Sequence, residues 1–201
     1  PKIHNLLLFY GKNEGLKNEI IKNIIRDKKN INNYDEKEIL ENEYNFVENI
    51  LTKSLFDDEK IIIIKRSTDK ILKVIESLNS KKLDGITIII NTDNLEKKSK
   101  LRSFFEKNKE TICIPFYPDT DQTLSKLAYD FLKGRKISIS QSSINLIINK
   151  CSGDREALYN ELNKIEYYTK NGKKITTEDI MKITNLIENH SVLELVDNCL
   201  A

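Results

Sequence analysis

The stretch Gly11–Asn18, GKNEGLKN, lies between an apolar run and an apolar-periodic segment, the setting of a loop that binds nucleotide phosphates. Such a loop needs glycines so that backbone N–H groups can approach phosphate, a Lys for phosphate charge, and Ser or Thr for Mg²⁺. Counting from Gly11, the second glycine position holds Leu16, the lysine position Lys17 and the hydroxyl position Asn18. Only the lysine survives, and it reads as a solvated first-turn residue. A second requirement fails downstream. Where an ATPase places acidic metal ligands, after the run Ile61–Ile64, this chain has Lys65-Arg66, and two cations repel Mg²⁺ rather than coordinate it. Both departures argue against ATP hydrolysis; the alternative is an active ATPase with a divergent loop.

Other reactive constellations are thin. No G-x-S-x-G, H-E-x-x-H or Cys–His spacing occurs. The acid pairs Asp57-Asp58 and Glu178-Asp179 belong in a loop or at a helix N-terminus, where negative charge is favourable. Cys113, Cys151 and Cys199 are widely separated, share no metal-ligand spacing with His4 or His190, and fit a reducing cytoplasm. No metal and no cofactor are expected. Leu55 and Phe56 raise a different question, because they sit outside the nearest strand beside Asp57, Asp58 and Glu59. Two readings stay open. The pair either folds under the sheet edge or projects as an anchor for a partner's groove, where full burial of each side chain stabilises by roughly 1.5–3 kcal/mol.

Elements must hold these residues in place. Runs at 3–10, 61–65, 85–91 and 111–116 read as buried strands, and 16–27, 45–53, 69–79 and 97–108 as helices. Near-continuous apolar strands alternating with helices imply a parallel sheet covered on both faces. After Pro115 and Pro118 only helices follow, over 121–133, 140–150, 154–168, 176–184 and 191–200. Ser140 and Thr176 are N-caps, and Asp179 completes a capping box with Thr176. The fold class is α/β, a parallel sheet flanked by helices over 1–118, followed by a small all-helical domain over 119–190. Residues 191–201 start a linker helix to a further domain. The chain begins at Pro1 and its last helix reaches Ala201, so segments beyond both ends are expected.

The 33 basic and 31 acidic residues leave a net charge of +2, too balanced to mark a nucleic-acid binder by charge alone. Lys97, Lys98, Lys100 and Arg102 share one predicted helix and could touch phosphate, although a solvated helix face accounts for them. No apolar run approaches membrane-spanning length and no signal peptide is visible, so a cytoplasmic location without membrane contact is expected.

Five stretches, in order, resemble the delta subunit of the bacterial DNA polymerase III clamp loader. SLFDDEKIIIIKRS (54–67) is similar to that family's Ser-Leu-Phe segment and following strand, and LLLFYGKNEGLKNEIIKNI (6–24) to its opening strand, turn and helix. NTDNLEKKSKLRSFFEK (91–107), CSGDREALYNELNKIEYY (151–168), and the pair ITTEDI (175–180) with SVLELVDNCLA (191–201) continue the likeness. The resemblance implies an AAA+-like fold whose nucleotide site has degenerated, in agreement with Leu16, Asn18, Lys65 and Arg66. It also implies that Leu55 and Phe56, with Ser54 before them, insert into a pocket on the beta sliding clamp and spring the ring open. The subunit would have no catalysis of its own within the DNA-directed DNA polymerase III holoenzyme, a nucleotidyltransferase assembly. The implied partners are the clamp, the gamma/tau and delta-prime subunits through a further C-terminal domain, and primed DNA in the assembled complex. Taken alone, the chain is expected to be a monomer.

Overall fold

The computed structural model describes residues 4–52, 59–170 and 172–184. Contacts divide the chain into two compact units, Pro1–Tyr117 and Pro118–Ala201.

The first unit is built on a parallel sheet of β1 (Leu6–Tyr10), β2 (Asn30–Asp35), β3 (Lys60–Lys65), β4 (Ile86–Thr92) and β5 (Thr111–Pro115), in the order β2-β3-β4-β1-β5. In register, Leu8 lies opposite Ile90 on one side and Cys113 on the other, and Ile62 lies opposite Ile88. Successive side chains along a strand point to opposite faces, so β-branched apolar residues at consecutive positions demand cover on both. One face carries Leu6, Leu8, Ile62, Ile64, Ile88 and Ile90. It is covered by α2 (Glu36–Glu41), α3 (Glu43–Leu51), α4 (Leu72–Asn79) and α5 (Lys100–Lys107), through Ile39, Ile50, Ile75 and Phe105 among others. The other face carries Phe9, Ile61, Ile63 and Ile89 and is covered by α1 (Glu14–Ile25) through Ile21.

Three local expectations change. Strand β2 and helix α2 were not anticipated, because NINNYD offers only Ile31 and Tyr34 as apolar residues. Its strand conformation comes from the ladder to β3, in which Ile31 pairs with Ile61 and Tyr34 with Ile64. Helix α1 starts at Glu14 rather than at 16, because the Asn13 side chain accepts from Leu16 N and caps it. Helix α5 starts at Lys100 rather than at 97, because Ser99 caps it by accepting from Arg102 N.

The second unit packs α6 (Asp121–Gly134), α7 (Gln141–Cys151), α8 (Arg155–Thr169) and α9 (Thr177–Ile183) around Leu124, Leu132, Ile147, Leu158, Leu162 and Ile180. Ser140 and Thr176 cap α7 and α9, with the expected reciprocal box between Thr176 and Asp179. The Thr176 N–H and hydroxyl and the Tyr168 hydroxyl hold the Asp179 carboxyl down at about 2. A bidentate Arg155–Asp119 pair, 2.8 and 2.9 Å, ties the segment before α6 to the start of α8. No described helix is long and apolar enough to cross a membrane.

Candidate functional site

The phosphate loop that the sequence suggests sits at the C-terminal ends of β1 and β4, where open α/β sheets place their ligands. Gly11 turns there with φ +123°, and a Cβ at this position would lie 2.2 Å from the Phe116 carbonyl oxygen. Only glycine allows that approach. Three of the turn's backbone donors are engaged internally. Gly11 N–H donates to Asp93 O (3.2 Å), Asn13 N–H to Phe116 O (3.3 Å) and Glu14 N–H to Lys12 O (3.0 Å). The Asn13 side chain caps Leu16 N and donates to Tyr117 O at 2.9 Å. In a working loop these N–H groups would face phosphate.

Lys17 corrects the expectation of a solvated residue. It is fully buried, donates from Nζ to Thr92 O at 2.8 Å, and pairs with Glu14 at 2.5 Å. Two features drive it inward. The early start of α1 turns this position toward the sheet, and the last carbonyl of β4 needs a donor. A buried ammonium is tolerated because both contacts are charge-assisted. Leu16 packs against the apolar face under α1 instead of lining a phosphate path, and Asn18 is exposed. The residues present therefore do not fit a nucleotide phosphate with its Mg²⁺: the lysine is engaged, the Gly11, Asn13 and Glu14 donors are bonded, and the hydroxyl ligand is absent.

The exit of β3 is also bonded largely within the chain, although the buried Ser67 Oγ after it has no hydrogen-bond partner among the described residues. Arg66, in the left-handed region at φ 54°, donates from Nε to Asp35 Oδ1 at 2.7 Å and makes a second contact with Oδ2. Lys65 is exposed. Buried Glu36 accepts from Thr68 N–H at 2.6 Å and from its hydroxyl at 2.9 Å, and Thr92 donates from Oγ1 to Ser67 O at 2.5 Å. The cations at the metal-ligand position are thus turned toward α2 or solvent. Among the described residues no cluster of three or more His, Cys, Asp or Glu could hold a metal. Burial pushes the Cys113 and Cys151 thiols up to about 11, so neither is a nucleophile at neutral pH.

The four cations expected on one helix are separated by the structure. Lys97 and Lys98 precede α5, and Arg102 is drawn inward. Its side chain is 17% exposed, bonded to Glu106 at 2.7 Å and Leu95 O at 3.1 Å, with the guanidinium 4.8 Å above the Tyr10 ring. Its Nε and Nη1 are therefore committed within the chain rather than turned to solvent. The lysines instead rim a groove between α4 and α5 that also contains Lys107. Sequence reading missed that groove, although Leu72 and Phe104, half-buried on facing helices, were its visible signal. Ser54, Leu55 and Phe56, and the linker expected over 191–201, lie outside the described residues. The nearest described elements are α3, ending at Leu51, and β3, starting at Lys60.

Comparison with known proteins places this geometry. The family model for DNA polymerase III, delta subunit, matches residues 7–115. Among solved structures, the Bacillus subtilis DNA clamp loader delta protein is similar at 14% identity and a TM-score of 0.58, over 90% of this chain and 58% of that one. Domain III of the Thermotoga maritima replication initiation protein DnaA is similar at 16% identity and a TM-score of 0.53, over 91% of this chain and 84% of that one. The Thermotoga maritima RuvB Holliday junction branch migration motor is similar at 15% identity and 0.57, over 90% and 61%. These likenesses establish an AAA+-like fold and nothing finer. A search of curated proteins finds no match. The family match is of another kind: it takes in Gly11–Asn18, Leu55-Phe56 and Lys65-Arg66, and more than half of the 201 residues. On that match, the chain belongs to the DNA polymerase III delta subunit family.

Proposed function

We propose that this chain is a clamp-loader subunit of DNA polymerase III that binds the beta sliding clamp and opens its ring, with no ATPase activity of its own. Leu55 and Phe56 are the clamp anchor and Ser54 flanks them. Opening follows from differential affinity: a protein that binds the opened interface more tightly than the closed ring shifts the clamp toward opening. ATP-driven steps then fall to the other loader subunits, which are the remaining partners with primed DNA, in the cytoplasm.

The observation that carries this reading is the family match over 7–115, which spans both the phosphate loop and the Leu55-Phe56 pair. The internal bonding of Lys17 and of the Gly11 turn supports its non-catalytic half. Binding to the cognate sliding clamp tests it, with wild type compared against Leu55→Ala/Phe56→Ala. The double variant is expected to lose on the order of 3 kcal/mol of binding free energy. Equal binding by both proteins would move the contact elsewhere, and ATP turnover by the wild-type chain would sink the non-catalytic assignment.

A further inference from the structure

We infer that the groove between α4 and α5 is a docking site for an acidic protein segment that carries one bulky apolar side chain. The lining of this groove includes no residue of the phosphate loop, so the inference stands apart from the nucleotide reading.

The groove is open to solvent, with a volume of about 700 Å³, and its lining includes Leu72 from α4 and Phe104 from α5. Both side chains are half-buried and packed on the core below, and Phe104 is held edge-on to Phe105 with centroids 5.6 Å apart. An apolar floor fixed in this way costs little to order on binding. Around it stand Lys97, Lys98, Lys100 and Lys107, all exposed; Lys98 pairs with Glu96 at 2.9 Å, and the lining carboxylate is Glu76. Lys107 lies in the last turn of α5, where the helix dipole favours a cation, but Lys100 at the other end is not explained by helix stability. Helix α5 has no acidic residue in its first turn and begins with Lys100, the reverse of what the helix dipole favours. The carboxylate nearest that end belongs to Asp69, and its oxygens already accept from Ser99 Oγ, Lys100 N and Leu101 N. Lys100, set against the local dipole beside an apolar floor, breaks a local rule, the pattern that marks a site made for something outside the chain.

The choice of occupant follows from the lining. A nucleic-acid phosphate backbone uses the cations alone and leaves the apolar floor of Leu72 and Phe104 unfilled. A leucine- or phenylalanine-sized side chain fills the floor, while flanking Asp or Glu residues reach the lysines on either side. Electrostatic complementarity then sets specificity and on-rate, and the apolar anchor holds the complex.

The test is selection of random dodecapeptides on the wild-type chain, followed by fluorescence anisotropy of the enriched peptides. Enriched sequences should carry acidic residues on both sides of a Leu, Ile, Phe or Trp. Lys97→Gln/Lys100→Gln/Lys107→Gln, which changes only exposed positions, should weaken them about tenfold or more. Glu76→Lys should strengthen them several-fold, a gain that misfolding could not produce. Failure to enrich, enrichment of peptides without acids, or affinities unmoved by the triple substitution would each overturn the inference. So would a single-stranded DNA oligonucleotide that binds through the same lysines with a steep salt dependence, since that would make the groove a nucleic-acid site.

Discussion

Helices α1 and α5 follow neighbouring strands of one sheet, and each brings a lysine within its first turns, yet the two lysines have opposite fates. Lys17 of α1 is fully buried, bonded to Thr92 O and Glu14, at a turn where three N–H groups are already taken. Lys100 of α5 stays exposed, although the start of its helix is just as fully capped, by Ser99 and Asp69. The difference lies in what faces each lysine. A strand-end carbonyl and a carboxylate await the first; a half-buried Leu72 and Phe104 and open solvent await the second. A cation at the C-terminal edge of such a sheet can therefore be converted into part of the core or kept as a surface for recognition. The neighbouring acceptors decide which.

Substitutions can break or sharpen this contrast. Gly11→Ala should have the largest effect, because a Cβ 2.2 Å from Phe116 O forces the backbone apart. A loss of about 4 kcal/mol is expected, read from amide exchange of β1 under native conditions. Full tolerance would mean that the turn does not rest on β5. Lys17→Met keeps the apolar stem but strands the Thr92 carbonyl, and should cost about 2–3 kcal/mol in urea unfolding, with no nucleotide binding gained. Asp69→Ala removes a carboxylate that caps α5 from outside the helix, with about 1 kcal/mol expected.

That third variant also carries a pH signature. Burial pushes the Asp69 carboxyl up, but hydrogen bonds from Ser99, Leu101 and Lys100 outweigh it and hold the group below its ordinary value of 3.8. A carboxyl depressed in the folded state stabilises above that ordinary value, and the contribution disappears as pH falls through the folded one. Acid unfolding of Asp69→Ala should therefore lose less stability below pH 3.8 than wild type does. The smallest effect is expected for Lys100→Gln, under about 0.5 kcal/mol in the same urea experiment. A loss as large as that of Lys17→Met would show that the two lysines are alike after all.

The sheet was legible because its central strands are nearly pure isoleucine and leucine: Ile61–Ile64 and Ile88–Ile90 leave no other use for those side chains. The capped helices of the second unit were legible from Ser140, Thr176 and Asp179 for a local reason, since caps are set within one turn. Strand β2 was not, because its partner β3 imposes its conformation across the ladder and its own composition does not. Lys17 was legible as a misfit in a phosphate loop but not as a buried residue. Its acceptor, Thr92 O, is a backbone atom 75 residues away and leaves no side-chain signature. Arg102 misled in the same manner, since its partners are the Tyr10 ring and Leu95 O as well as Glu106.

The rewired Gly11 turn also bears on how such a chain can change over generations. Restoring glycine at position 16 and threonine at 18 would recreate the letters of a phosphate loop without its working geometry. Lys17 would still hold the end of β4, and the Gly11 and Asn13 amides would still face Asp93 and Phe116. A working geometry would require Lys17 to leave Thr92 O and the Gly11 and Asn13 amides to leave Asp93 and Phe116, so these native contacts are lost before any phosphate can replace them. A path toward such a loop thus crosses a valley of less stable intermediates, which acts as a ratchet.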